Sequence, residues 1–370
     1  MSDSVLPQPT SAGRPPFRAA LDRVKAYQAG MTLEAAGVRY PGLEFAKLAS
    51  NENLHGCSPR VYEALRGFGR LEIYPDPASL RLRAAIGARL EIEPERVIMG
   101  AGSETLIDLL MRAVLEPGDR VVLSSPTFPS YATAAAVAGA EVTDVPRRPD
   151  FDLDVDATIA AAAGAKLLVV CSPNNPTGNA VTPGDLRRLL EEAPRDVVVL
   201  LDEAYHEFNQ GADPLPWLEA RGGHWLLLRT FSKAYALAGA RVGYGIASSA
   251  EVVDYLDRLR PAFNLTALSQ AAALAAWEDE THMRATVGMI TAERERVTRA
   301  LAERQVRHAP SRANFVFLKP RLPFMEAAER LLARGLIVRP IPVGEGGWLR
   351  VTIGRREDND RLLEALAEVC

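Results

Sequence analysis

The segment "RTFSKAYALAGARVGY", residues 229–244, sets one lysine among hydroxyl and small residues, with an arginine eight positions on. A lysine does covalent chemistry when its amine is held unprotonated: it forms a Schiff base with a carbonyl, or takes a proton from carbon. An arginine presents a planar fork suited to a phosphate or carboxylate. Most lysines do neither and stand exposed on loops. Lys233 follows the apolar run "HWLLLR", which reads as a strand, and precedes "AYALAGA", which is too rich in Ala and Gly for a good surface helix. It therefore sits where a strand ends.

Four more polar clusters close strand-like runs. In "GAGSET" (100–105) small residues precede Ser103 and Glu104, a pattern that brings backbone N–H groups and a helix N-terminus to an anion. Thr105 stands where a dinucleotide fingerprint has its third Gly, and no acidic strand end follows about 20 residues on, so a nicotinamide cofactor is not supported. "SPTFPSY" offers an aromatic, Phe128. "SPNNPTG" (172–178) offers Asn175, although Asn, Pro and Gly are what any turn uses. In "LLDEAY" the carboxylate of Asp202 ends an apolar run, and its burial is costly without a partner. It wants a cation, although an N-cap or a core salt bridge would also serve it. His206 and Glu207 begin "HEFNQ", which lacks a second His at the fourth position, so no metal site is expected.

The elements that must position these groups alternate along the chain. Strand-like runs at "RVIMG", "RVVLSSP", "AEVTDVP", "AKLLVVCSP", "DVVVLLDEAY", "HWLLLRTFS" and "RVGYGIA" are separated by helix-like segments such as "SETLIDLLMRAVLEPG" and "TPGDLRRLLEEAP". This predicts an α/β fold whose mostly parallel sheet is sandwiched by helices, because several strands are near-continuous Val, Leu and Ile. Beyond "RPAFNLT" the pattern turns to long helices, two strands, "NFVFLKP" and "GWLRVTIG", and a last helix, a smaller α+β domain. The expected division is an N-terminal tail and arm over 1–44, a large domain over 45–265 and a small C-terminal domain over 266–370. Sites in such sheets gather at the carboxyl ends of the parallel strands, where the polar clusters lie.

The formal charge is −4 over 370 residues and no basic run of five occurs, so neither nucleic acid nor an anionic membrane is an expected partner; small molecules are. Cys57, Cys171 and Cys370 are far apart and form no C-x-x-C pair, as in a reducing compartment. The Ser- and Pro-rich start lacks the apolar core of a signal peptide, which makes a cytoplasmic location the expectation.

An anion cradle, a buried carboxylate, an amide, an aromatic and a lysine at neighbouring strand ends suit one cofactor, pyridoxal 5′-phosphate. The lysine would carry it as a Schiff base, the carboxylate would keep its pyridine nitrogen protonated, and the cradle would hold its phosphate.

From about residue 25 to its end the chain resembles the fold type I aminotransferases and, within them, the histidinol-phosphate aminotransferases. The resemblance runs through "LASNENLHG", "YPDP", "GAGSE", "SPTFPSY", "SPNNPTG", "DEAYHEF", "RTFSKAYALAGARVGY", "RPAFN", "SRANFV" and "LRVTIG", in the family's order. It implies that Lys233 holds the cofactor and moves the proton at the substrate carbon. Free lysine titrates near 10.4, so the cationic cofactor and Arg241 are expected to lower it. Asp202 matches the partner of the pyridinium, Tyr205 and Asn175 the pair on the ring's phenolic oxygen, and Phe128 the aromatic stacked on the ring. Gly102, Ser103 and Glu104, with Thr230, Ser232 and Arg241, match the phosphate site. Tyr74 matches a tyrosine reaching the neighbouring subunit's cofactor, which implies a homodimer with shared sites. Arg350 matches the grip on the substrate's anionic group, to which Asn175 and Tyr27 of the arm also contribute.

The resemblance implies transfer of an amino group from L-histidinol phosphate to 2-oxoglutarate. Aromatic amino-acid aminotransferases and same-fold decarboxylases, such as those acting on threonine phosphate, share most of the motifs and stay as alternatives. A cofactor-sensing regulator would need a winged-helix segment ahead of residue 45, for which there is no room. Two departures touch the substrate side: "NENLHG" puts Leu54 and His55 where the family has Pro and Tyr, and "YQAG" lacks the usual proline after Tyr27.

Overall fold

The computed structural model describes residues 17–24, 26 and 30–370; Tyr27 lies outside them. The first strand, β1 (Ala46–Lys47), belongs with the C-terminal part of the molecule. Seven strands then build one sheet: β2 (Val97–Gly100), β3 (Arg120–Leu123), β4 (Glu141–Asp144), β5 (Leu167–Cys171), β6 (Val198–Asp202), β7 (Trp225–Thr230) and β8 (Gly243–Ala247). Their order is β2-β8-β7-β6-β5-β3-β4, with β8 antiparallel to both neighbours and the other pairs parallel.

Every residue of β5 and β7 is buried, which explains the unbroken apolar runs: both faces of the sheet are covered. Alternate residues serve two separate cores. Leu168, Val170, Val199, Leu201 and Leu227 enter one, whereas Leu167, Val169, Leu200, Leu226 and Leu228 enter the other. Each such side chain contributes about 1.5–3 kcal/mol relative to exposure. The helices Pro183–Glu192 and Ala267–Glu278 start where Thr182 and Thr266 accept from backbone N–H groups, the usual hydroxyl cap.

Register aligns the polar strand ends. Cys171 of β5 lies beside Asp202 of β6, Asp202 beside Leu228 of β7, Thr230 beside Gly243 of β8, and Gly243 beside Gly100 of β2. Residues distant in sequence thus form one rim.

The C-terminal part begins with the helices Ala267–Glu278 and Glu280–Glu303. It adds β9 (His308–Ala309), β10 (Phe315–Leu318), β11 (Leu336–Ile337), β12 (Arg339–Ile341) and β13 (Trp348–Thr352). Four of these form an antiparallel sheet in the order β12-β13-β10-β9, while β11 pairs in parallel with β1. The chain leaving β1 stays on this smaller sheet, where Leu48 O accepts from Thr352 N, before it crosses to the rim. Among the described residues no helix is long and apolar enough to cross a membrane.

Candidate active site

A cavity of about 330 Å³ opens on the rim. It is lined by ten of the residues expected from the sequence: Ser103, Glu104, Phe128, Asn175, Asp202, Tyr205, Thr230, Ser232, Lys233 and Arg241.

One end is an anion cradle. The helix Ser103–Val114 follows Gly102, which has φ 88 and gives no side-chain cap, so the first N–H groups keep their positive end toward the cavity. A Cβ on Gly102 would fall on the Arg241 guanidinium, and one on Gly243 would collide with the backbone of Ser103. Both glycines keep open the space where backbone and guanidinium meet. Arg241 itself holds φ 54 and donates to Ala238 O at 3.1 Å. Thr230 Oγ1 donates to Ser232 Oγ at 2.9 Å and accepts from Ser232 N at 3.1 Å. Glu104 accepts from the Ser130 hydroxyl, which turns its carboxylate toward the flank.

At the other end Asp202 is buried. Its Oδ1 accepts from Ala204 N at 3.0 Å and its Oδ2 from Tyr131 Oη at 2.6 Å. Burial pushes its carboxyl up to about 6, only partly offset by these two donors, while Glu203 nearby raises it further. No cation is among the groups that set this ionisation, which leaves a carboxylate suited to a positively charged ligand atom.

Between these ends the loop "SPNNPTG" divides its labour. Asn174 is fully buried and ties the loop down, with Nδ2 donating to Pro126 O and Thr177 Oγ1, both at 2.9 Å. Asn175 projects into the cavity, where its Oδ1 accepts from Arg350. A second donation from Arg350 goes to Ala49 O at 2.7 Å. Tyr205 is buried, which pushes its hydroxyl up to about 12 and keeps it protonated at neutral pH. Its oxygen accepts from Asn51 Nδ2 at 2.8 Å.

Lys233 follows Ser232 after β7 and donates from Nζ to Ser50 O at 3.1 Å. Its ammonium is pushed down to about 8. Burial is the leading cause; the cations Arg350 and Arg241 add to it, and Glu52 opposes it. From sequence alone the expected causes are the cofactor's charge and Arg241. Enclosure by protein and Arg350, 117 positions away in sequence, weigh more than Arg241.

An adjoining recess of about 170 Å³ shares Phe128, Asn175, Tyr205 and Lys233 with the first cavity and adds Arg350 and Arg339. Arg339 of β12 stands opposite Arg350 of β13, so strand register places two guanidinium groups at one mouth. Tyr74 is not part of either cavity. It is 78% exposed and stacks on Phe263, with ring centroids 4.5 Å apart.

Tyr131, Asn51 and Arg339 escaped sequence reasoning. Tyr131 lies three positions after Phe128 in "SPTFPSY", and Asn51 opens "NEN", so each lies inside a motif whose other residues carry the sequence signal. Arg339 had no signal short of strand register.

The residues fit pyridoxal 5′-phosphate: the cradle that a Cβ would fill suits a phosphate, and Asp202 suits a protonated ring nitrogen. Comparison with known proteins agrees. The chain matches the family "Aminotransferase class I and II" over residues 44–366. It is 55% identical to histidinol-phosphate aminotransferase 2 of Caulobacter vibrioides, over 96% of this chain and 95% of that one. A crystal structure of histidinol-phosphate aminotransferase from Sinorhizobium meliloti, in complex with pyridoxal-5′-phosphate, superposes with a TM-score of 0.87 at 27% identity. That match covers 97% of this chain and 98% of the other. An aspartate aminotransferase of Thermus thermophilus has a TM-score of 0.77 at 25% identity, covering 96% of this chain and 100% of its own.

Proposed function

Because the chain belongs to the aminotransferases of class I and II, we propose that it transfers the amino group of L-histidinol phosphate to 2-oxoglutarate, giving imidazole-acetol phosphate and L-glutamate. The observation that carries this reading is Arg350, which lines the same recess as Lys233 and is braced by Asn175 and Ala49. Histidinol phosphate lacks a carboxylate. Its phosphate hangs one carbon beyond the amine-bearing carbon, near where an amino acid places its carboxyl group. One fork therefore serves the phosphate ester in one half of the reaction and a carboxylate in the other. Full-length similarity to relatives of that name supports the same substrate.

Pyridoxal 5′-phosphate, when bound, supplies an electron sink for the carbon that loses its proton. The protein's own groups do the rest. The amine of Lys233 attaches the cofactor and then, released, moves the proton at the substrate carbon. Its depressed basicity leaves an appreciable neutral fraction at neutral pH. Asp202 holds a proton on the ring nitrogen, and Tyr205 and the Asn175 amide hold the phenolic oxygen. Arg241, Thr230, Ser232 and the N–H groups after Gly102 hold the phosphate; Phe128 covers the ring. Tyr27 of the arm adds to the substrate side.

The same reading makes the enzyme a cytoplasmic homodimer, with a large domain over 45–265 and a small one over 266–370, except that β1 at 46–47 pairs with β11 and so joins the small one. Leu71, Ile73 and Tyr74 are 77%, 56% and 78% exposed within one short stretch, an apolar patch suited to a two-fold contact that brings Tyr74 to the partner's site. Sedimentation showing an active monomer at assay concentration would remove the dimer. For the substrate, the decisive measurement is kcat/KM for histidinol phosphate against phenylalanine and tyrosine. A tenfold advantage for the aromatic amino acids would replace this assignment with an aromatic aminotransferase.

A further inference from the structure

Between the smaller sheet and the cavity, polar groups stand in single file with their donors and acceptors ordered. Asn51 is 1% exposed and holds φ 58, a left-handed conformation that asparagine tolerates better than most residues. Its backbone N–H donates to Thr352 Oγ1 at 2.9 Å. The Thr352 hydroxyl, having accepted there, gives its one proton to Asn51 Oδ1 at 3.2 Å. With Oδ1 so committed, the amide turns its NH₂ the other way and donates to Tyr205 Oη at 2.8 Å. From the far side Asn314 Nδ2 donates to Asn51 O at 3.0 Å, fixing the backbone. Each assignment forces the next, because a backbone N–H only donates, an amide oxygen only accepts, and a hydroxyl has one proton to give.

The last link constrains Tyr205. Its oxygen accepts from Asn51, so its own proton must point elsewhere. The titratable and charged groups around it are Arg350, Cys171 and Asp202, with Lys233 over its ring at 5.9 Å. Arg350 is a pure donor, and the Tyr205 hydroxyl goes neither to Asp202, which accepts from Tyr131 and Ala204, nor to Cys171, whose Sγ–H goes to Pro173 O at 3.5 Å, while Tyr205 itself lines the cavity. The open direction is the cavity.

We propose that Asn51 is a positioning residue for transamination, holding the Tyr205 hydroxyl proton directed into the cavity, where the phenolic oxygen of the cofactor accepts it. The inference rests on the reading of Tyr205 given above and adds to it. The orienting hydroxyl, Thr352, lies two residues after Arg350 on β13 and so on the same face, so one strand serves both the grip on the substrate and the orientation of Tyr205.

The test is the pH at which the absorbance of the bound cofactor changes. A hydrogen bond to the phenolic oxygen stabilises its anionic form and thereby lowers that midpoint. Asn51→Gly keeps the positive φ without a side chain, and Thr352→Val keeps the shape while deleting the hydroxyl that orients the amide. Both should raise the midpoint by roughly half a unit or more, in the direction of Tyr205→Phe. Asn51→Gly added to Tyr205→Phe should give no further shift. A merely structural Asn51 would lower Tm and leave the midpoint alone. If Tyr205→Phe moves the midpoint and Asn51→Gly does not, the inference is overturned and the role of Tyr205 stands. If Tyr205→Phe itself leaves the midpoint in place, that role falls and takes the inference with it.

Discussion

Tyr131 Oη donates a 2.6 Å hydrogen bond to Asp202 Oδ2 where both residues are buried. The tyrosine is fully enclosed, and its own ionisation is pushed well above the usual range by burial and by the carboxylate beside it, so it stays a donor. Hydrogen bonds to a charged acceptor contribute about 1.5–3 kcal/mol. Tyr131→Phe should therefore raise Asp202 above its present value of about 6 and weaken cofactor binding by about tenfold or more. Equilibrium titration of cofactor-free protein checks this; unchanged affinity at pH 6–7 sinks it.

The cofactor-free protein should also lose stability as pH rises through the range where Asp202 ionises. Its carboxyl is raised from 3.8 to about 6, so the folded state binds that proton more tightly than the unfolded chain. The contribution is fully present below the lower value and is lost by the time the pH passes the higher one, about 3 kcal/mol in all. Asp202→Asn should flatten Tm between pH 4 and pH 6 and abolish turnover. Parallel Tm curves for parent and variant would contradict a buried carboxylate that no cation offsets.

Lys233 is held down to about 8, and only its neutral amine attacks a carbonyl. The rate of cofactor capture should rise about tenfold per pH unit below that value and level off above it. Stopped-flow absorbance gives the profile, and a rate independent of pH would mean that the amine is not so tuned. Lys233→Ala should abolish turnover with the fold intact.

Arg350 braces Asn175 and Ala49 as well as facing the mouth, so its loss acts twice. Arg350→Ala should raise KM for both histidinol phosphate and 2-oxoglutarate by about a hundredfold, within the 2–5 kcal/mol typical of a truncated buried charge contact. Steady-state kinetics with each substrate varied decides it; an effect on one substrate alone would break the shared-fork reading.

Much of the fold was legible in the sequence because its signals are local. Val/Leu/Ile runs such as "KLLVV" and "WLLLR" mark strands buried on both faces, and polar residues closing such runs mark a rim. Asp202 and Lys233 stood out because each is an uncomfortable residue at the end of an apolar run.

The sequence by itself thus determined the elements, the rim and the kind of cofactor that suits it. Tertiary structure decided what those residues are bonded to. Arg350 lowers Lys233 across 117 positions, Tyr131 supports Asp202 across 71, and Asn51 reaches Tyr205 across 154. Arg339 meets Arg350 only through the register of β12 on β13. The physical reason is that strand and helix periods are written in neighbouring residues, whereas burial, the leading cause of the shifts at Asp202 and Lys233, belongs to no local stretch. It arises when both sheets and the strand-to-rim crossing at residues 48–53 close on the same cavity.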